Sequence, residues 1–200
     1  MSAAITTPER ESIVRLLADY AARFPAELPT VARVRRLVVE HDDCLLRSCV
    51  PGHVTASAWI VAPDRRRCLL THHAKLDRWL QLGGHVDGDA DVARSATREA
   101  REESGMERFE LWQPVPLDLD VHVIPARASE PAHEHHDFRF LLIAAPGQAI
   151  RASDESKDLR WFEPGELASI TTDESVIRLA RKARAALSAT ESGLDRRSST

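Results

Sequence analysis

Two hundred residues, 43% hydrophobic and 29% charged, describe a soluble globular chain of one domain with extensions and exclude a disordered or fibrous one. A formal net charge of -4, with no long run of Lys or Arg, excludes a cationic surface for DNA, so a polyanionic ligand would have to be held by metal. Cys44, Cys49 and Cys68 form no CxxC pair, and no segment is apolar for long enough to be a signal region or a membrane span, which points to the cytoplasm.

In chain order, Thr7-Pro8 reads as a helix cap with proline at the first helical position. Ile13, Leu16, Leu17, Tyr20 and Phe24 then recur at helical spacing. A second helix is expected from Thr30, with Val31, Val34, Leu37 and Val38 on one face. Residues 1–50 thus form a helical extension packed on the domain that follows. Strands are expected at Val54–Val61 and Cys68–His73, with the turn signal Pro63-Asp64 between them. Trp79–Leu82 leads into Gly83-Gly84, where the chain must turn tightly. Asp89 or Asp91 caps a helix that runs to about Ser104 and stops at Gly105. Further strands are expected at Phe109–Trp112, Leu119–Ile124, Phe138–Ala144 and Leu159–Phe162, with a Pro-, His- and Glu-rich loop before Phe138. A final helix covers Asp173–Leu187, and 189–200 reads as a frayed tail. The order implies an α/β (α+β) domain over residues 51–188, a mixed sheet packed between helices.

On the embedded helix Glu99, Glu102 and Glu103 stand at i, i+3 and i+4 and share a face. Their repulsion would weaken an isolated helix by a few tenths of a kcal/mol per pair, roughly, with Arg98 placed to relieve Glu102. Val92, Ala93, Ala96 and Ala100 make the opposite side small and apolar, so the helix can lie close on a sheet. A carboxylate cluster above such a face is a platform for a hard divalent cation.

With Gly84 upstream and Gly105 downstream, this stretch resembles the signature of the Nudix hydrolases, in a MutT-like form. Gly84, Arg98, Glu99, Glu102, Glu103 and Gly105 match six of its seven fixed letters over twenty-three residues. Ala90 replaces the first Glu, which implies a weaker brace of the loop against the helix rather than lost chemistry. The resemblance implies hydrolysis of a phosphoanhydride in a nucleoside diphosphate linked to another moiety, with Mg²⁺ (or Mn²⁺) as cofactor. It implies Glu102 and Glu103 as principal metal ligands, Glu99 as ligand or general base, Gly84 as a carbonyl ligand and Arg98 as their orienter. Glu155, with Asp154 and Asp158 as rivals, is the expected extra carboxylate from a loop before the last strand. His85 and Arg139 are the expected substrate contacts.

His122, His133, His135 and His136 crowd one strand and its loop, with Glu134 and Asp137 among them, and their ligand types leave a zinc reading open; with no known structural zinc spacing and no cysteine, a substrate-facing or solvated surface is the expectation. Trp79, Trp112 and Phe138 are candidates to stack a base. Partners are expected to be a small nucleotide or another diphosphate, with no DNA and no membrane. A homodimer through the N-terminal helices is an option. Two rivals stay open: a nucleotide or metabolite sensor on the same scaffold, and an isopentenyl-diphosphate isomerase-like enzyme using Cys68.

Overall fold

A computed structural model of the chain describes residues 4–127, 131–170 and 173–195, with side chains through Ala189. Helices α1 (Thr7–Arg23) and α2 (Leu28–Glu40) come first. The cap of α1 is Thr6 rather than Thr7, because Glu9, three residues on, accepts both the Thr6 N–H and its hydroxyl at 2.8 and 2.6 Å. Helix α2 starts two residues before Thr30, since Pro29 is tolerated in a first turn that lacks N–H partners anyway.

The sheet comprises β1 (Gly52–Val61), β2 (Cys68–His73), β3 (Arg78–Leu80), β4 (Leu82–His85), β5 (Phe109–Leu111), β6 (Asp118–Ile124), β7 (His133–Ala144) and β8 (Ser156–Phe162). Three further helices are α3 (Val92–Ser104), α4 (Leu167–Ile170) and α5 (Glu174–Asp195). β1 runs parallel to β7 over ten residue pairs and antiparallel to β4 and β2. β6 and β5 pair with β7, and β8 pairs with β2. The sheet is therefore mixed, as its sequence pattern suggests. Two further boundaries differ most from expectation, while β8 starts three residues before the expected Leu159. β7 begins at His133, not Phe138, because its polar first half still pairs with Gly52–Thr55 and with β6. Helix α5 continues through Asp195, into the stretch read as a frayed tail; residues 196–200 of that tail and 128–130 of the His-rich loop lie outside the described residues.

The alternation of side chains along β1 and β7 sorts the core. Val54, Ala56, Phe138 and Phe140 face α1, α2 and α3, meeting Ile13, Leu17, Val34, Val38, Val92 and Ala96. Ala58, Ile60, Leu142 and Ala100 extend that layer. On the other face Trp59, Val61, Leu141 and Ile143 pack under Leu179 and Ala183 of α5. The apolar faces of α1 and α2 are thus buried against the sheet. Phe138 is fully buried in this core, so it is no surface for a base. All three cysteines are buried and free. No helix among the described residues is long and apolar enough to cross a membrane.

Beside this apolar face lies a buried polar row. Asp137 accepts from Thr55 at 3.0 Å, Ser57 at 2.8 Å and Arg139 Nε at 2.8 Å. Arg139 also reaches Asp120 at 3.0 Å and Asp118 at 3.4 Å, and Arg178 and Lys182 of α5 close on the same aspartates at 2.7–2.8 Å. Burial by itself pushes the Asp120 carboxyl up, but the His122 hydrogen bond and the Arg139 and Arg178 cations outweigh it and hold Asp120 well below the usual carboxylate range. A depressed folded-state value contributes stability above the unfolded value near 4, lost as pH falls. Asp120→Asn is therefore expected to flatten the acid limb of stability between pH 5 and lower pH in urea titrations, roughly where carboxylates protonate. Arg139→Ala, which strands buried carboxylates, is expected to cost about 3–5 kcal/mol in the same assay at neutral pH.

Candidate active site

Helix α3 is capped by Asp91, whose carboxylate accepts the Arg94 N–H at 2.9 Å, and ends at Gly105 with φ +68°. Val92, Ala96 and Ala100 seat it on the sheet. That leaves Glu99, Glu102 and Glu103 along the side that meets the Gly83–His85 strand. Arg98 ties helix and strand together. Its Nη1 lies 2.8 Å from Glu99 and 3.0 Å from Glu102, and its Nη2 donates to the His85 carbonyl at 2.7 Å.

The glycine pair makes this approach possible. A Cβ on Gly84 would stand 2.6 Å from Glu99 Oε2, and one on Gly83 would collide with Ser57 of β1. Glu99 is thereby pressed against the strand with its side chain only 12% exposed, whereas Glu102 is 58% exposed. Glu103 is the most perturbed of the three. Burial first, then the negative charges of Glu99 and Glu155, push its carboxyl up to about 8, against an opposing hydrogen bond from the Gly83 N–H. Burial also raises Glu99, partly offset by Arg98. The result is a set of oxygen donors with less positive charge than it needs, open to a cation.

Glu155, in the exposed turn before β8, is close enough for its charge to bear on Glu103, and its backbone carbonyl accepts from Ala74 at 2.9 Å. The loop brace expected to weaken at Ala90 is taken up by neighbours. Asp89 accepts from Arg94 at 2.6 and 2.8 Å, Asp87 accepts a bidentate Arg47 at 2.8 and 2.9 Å, and Gly88 N–H donates to the Leu45 carbonyl at 2.9 Å. Arg139 is not brought to this site. Its side chain is 2% exposed, and all three of its nitrogens are directed at Asp137, Asp118 and Asp120. Cys68 is buried, its thiol pushed up to about 12 by desolvation, so it offers no nucleophile or acid for an isomerase.

The NUDIX domain model matches residues 51–182. The chain belongs to the NUDIX domain family. The enzyme class that follows is that of the pyrophosphohydrolases, acting on acid anhydrides. Among solved structures, a NUDIX-family hydrolase from Clostridium perfringens is 25% identical, with TM-score 0.53 over 66% of this chain and 95% of that one. An Ap4A hydrolase from C. elegans in a binary complex is 19% identical, with TM-score 0.57 over 68% and 98%. The E. coli dihydroneopterin triphosphate pyrophosphohydrolase is 18% identical, with TM-score 0.51 over 64% and 92%. The latter two likenesses are of fold. No curated protein matches the chain significantly.

The histidine group is arranged differently from its reading in sequence. Alternation turns His136 to the far face of β7, where it is buried and 3.1 Å from Glu134. His53 of β1 and His85 of β4 take its place beside His135. Sequence reasoning missed His53 because the parallel β1–β7 register that sets it opposite His135 leaves no local pattern.

Two substitutions test this geometry. Gly84→Ala meets only the movable end of Glu99, so stability should stay within about 1 kcal/mol, a Tm change of roughly 2–4 °C. Pyrophosphohydrolase activity should nevertheless fall on the order of 100-fold, since Glu99 is displaced. Glu103→Gln keeps the Gly83 hydrogen bond and removes a repelled charge. Its melting temperature in chelator should rise by about 2–4 °C while activity is lost.

Proposed function

We propose that this chain is a magnesium-dependent hydrolase of the diphosphate bond in a nucleoside diphosphate linked to another moiety. The observation that supports it most is Glu103, held beside Glu99 and within reach of the charge of Glu155, with its carboxyl raised to about 8. Such a donor set fits a small hard dication, which takes oxygen ligands and leaves room for substrate phosphate. In this reading Glu102 and Glu103 hold Mg²⁺ (or Mn²⁺), with Glu99 and the Gly84 carbonyl beside them. Bound there, the ion would supply charge neutralisation for the phosphates and a lowered pKa for an attacking water.

The protein's own groups do the rest. Arg98, fixed on the His85 carbonyl, keeps Glu99 and Glu102 at their separation from the Gly83–His85 strand. Glu99 or Glu155 accepts the proton of the attacking water. The His85 carbonyl, clamped by Arg98, ties the glycine strand to the helix that carries the glutamates. The net charge of -4 leaves the metal as the principal attraction for a polyphosphate.

A panel of nucleoside triphosphates, ADP-ribose, dinucleotides and nucleotide sugars, assayed with and without Mg²⁺, tests the reading. Turnover should require the ion and fall on the order of 100-fold or more in Glu102→Gln, the size expected when a group stabilising transition-state charge is lost. Binding of a panel member by wild type and mutant alike, with no turnover in either, would sink the hydrolase reading and establish the sensor.

A further inference from the structure

The sheet carries a second cluster of donors, chemically unlike the glutamates and made wholly of imidazoles. His53 on β1 is register partner of His135 on β7, and His135 is in turn partner of His122 on β6. Thr55, two residues along β1 from His53, pairs with His85 on β4. Sheet alternation places all four rings on one face. Ring centroids are 4.8 Å apart for His53–His135, 5.0 Å for His53–His85 and 5.3 Å for His85–His135. His133 stacks on His53 at 5.0 Å, and His122 meets His135 edge-on at 5.4 Å.

Two observations distinguish this from ordinary ring packing. One ligand nitrogen from each of His53, His85 and His135 lies within 4.8 Å of the others. His53 is 2% exposed, and among the described residues neither of its ring nitrogens makes a well-formed hydrogen bond, the Cys49 carbonyl being the one backbone group near enough to bear on the ring. A buried imidazole normally satisfies at least one nitrogen, so an unsatisfied one at the centre of converging donors calls for a partner. A tetrahedral ion with nitrogen ligands at about 2.05 Å sets them roughly 3.4 Å apart, which modest side-chain rotation reaches from here. The flanking rings are already oriented from behind. His122 Nδ1 is held 2.9 Å from Asp120, itself fixed by Arg139, and His133 Nδ1 is held 2.9 Å from the Pro131 carbonyl. Carboxylate and carbonyl partners of this kind orient metal-binding imidazoles.

We propose that His53, His85 and His135 bind a transition-metal ion of the zinc class, with His122 or His133 available as a fourth ligand. Imidazole donors select such an ion over magnesium, so the site is separate in chemistry from the carboxylates of α3. It is joined to them through His85, whose carbonyl Arg98 holds. The inference stands independently of the hydrolase reading.

The test uses the full chain carrying Glu102→Gln and Glu103→Gln, to weaken metal binding at the glutamates. Zn²⁺ is titrated in competition with a chromophoric chelator, and Co²⁺ is added separately as a spectroscopic probe. One equivalent of Zn²⁺ should bind, and Co²⁺ should show the intense visible bands of a four-coordinate site. His135→Gln and His53→Gln should each weaken Zn²⁺ on the order of 100-fold and abolish those bands, with far-UV circular dichroism confirming the fold. Two histidine positions are used so that one misfolded variant leaves the other to decide. Absence of stoichiometric Zn²⁺, a six-coordinate Co²⁺ spectrum, or affinity unchanged in the folded histidine variants would overturn the proposal.

Discussion

Everything chemical in this fold depends on the position of β1 between an antiparallel neighbour and a parallel one. Its pairing with β4 brings Gly83 opposite Ser57 and Gly84 opposite Ala56, and so sets the strand that Glu99 presses against. Its pairing with β7 puts His53 beside His135 and Thr55 beside Asp137. A slip of one residue in either ladder would send each of these side chains through the sheet to the wrong layer. The buried bonds of Thr55 and Ser57 to Asp137 oppose such a slip, because it would leave those polar groups buried without partners.

The glutamates of α3 stand against two local electrostatic preferences. They repel one another at helical spacing, and they occupy the C-terminal turns, where the helix macrodipole is already negative. Basic residues would be the stabilising choice at that end, and Arg101 is the only one in the last turn. A helix that keeps Glu99, Glu102 and Glu103 there is less stable than its propensities allow, a pattern common where function sets the residue. Arg98 reduces the strain for Glu99 and Glu102, and Glu103, which is left least compensated, shows the largest rise.

Much of this was legible in the sequence where the signal was local. The spacing of Arg98, Glu99, Glu102 and Glu103, with glycines at either end, marks the helix and its loop on local pattern alone. Cys68–His73 is bounded as its apolar run and turn signals suggest. What was not legible came from long-range pairing. Polar His133–Asp137 read as loop because a strand with such side chains needs a polar neighbour, and β1 supplies one only through a parallel ladder eighty residues back in the chain. Arg139 looked free to bind a ligand because its three aspartates come from β6 and β7 in three dimensions. The substitution at Ala90 looked like a missing brace because Arg47, forty residues upstream of Asp87, gave no sign of reaching it.

The burial of all three cysteines gives the molecule an internal clock. Desolvation pushes Cys44 up to about 11 and Cys49 and Cys68 up to about 12, so the folded protein presents almost no thiolate to an alkylating reagent. Modification must wait for opening. Cys44 and Cys49 sit in the segment between α2 and β1 that braces the Asp87 loop, while Cys68 sits inside the sheet under α5. Their separate labelling rates would time the release of the loop support against the opening of the core.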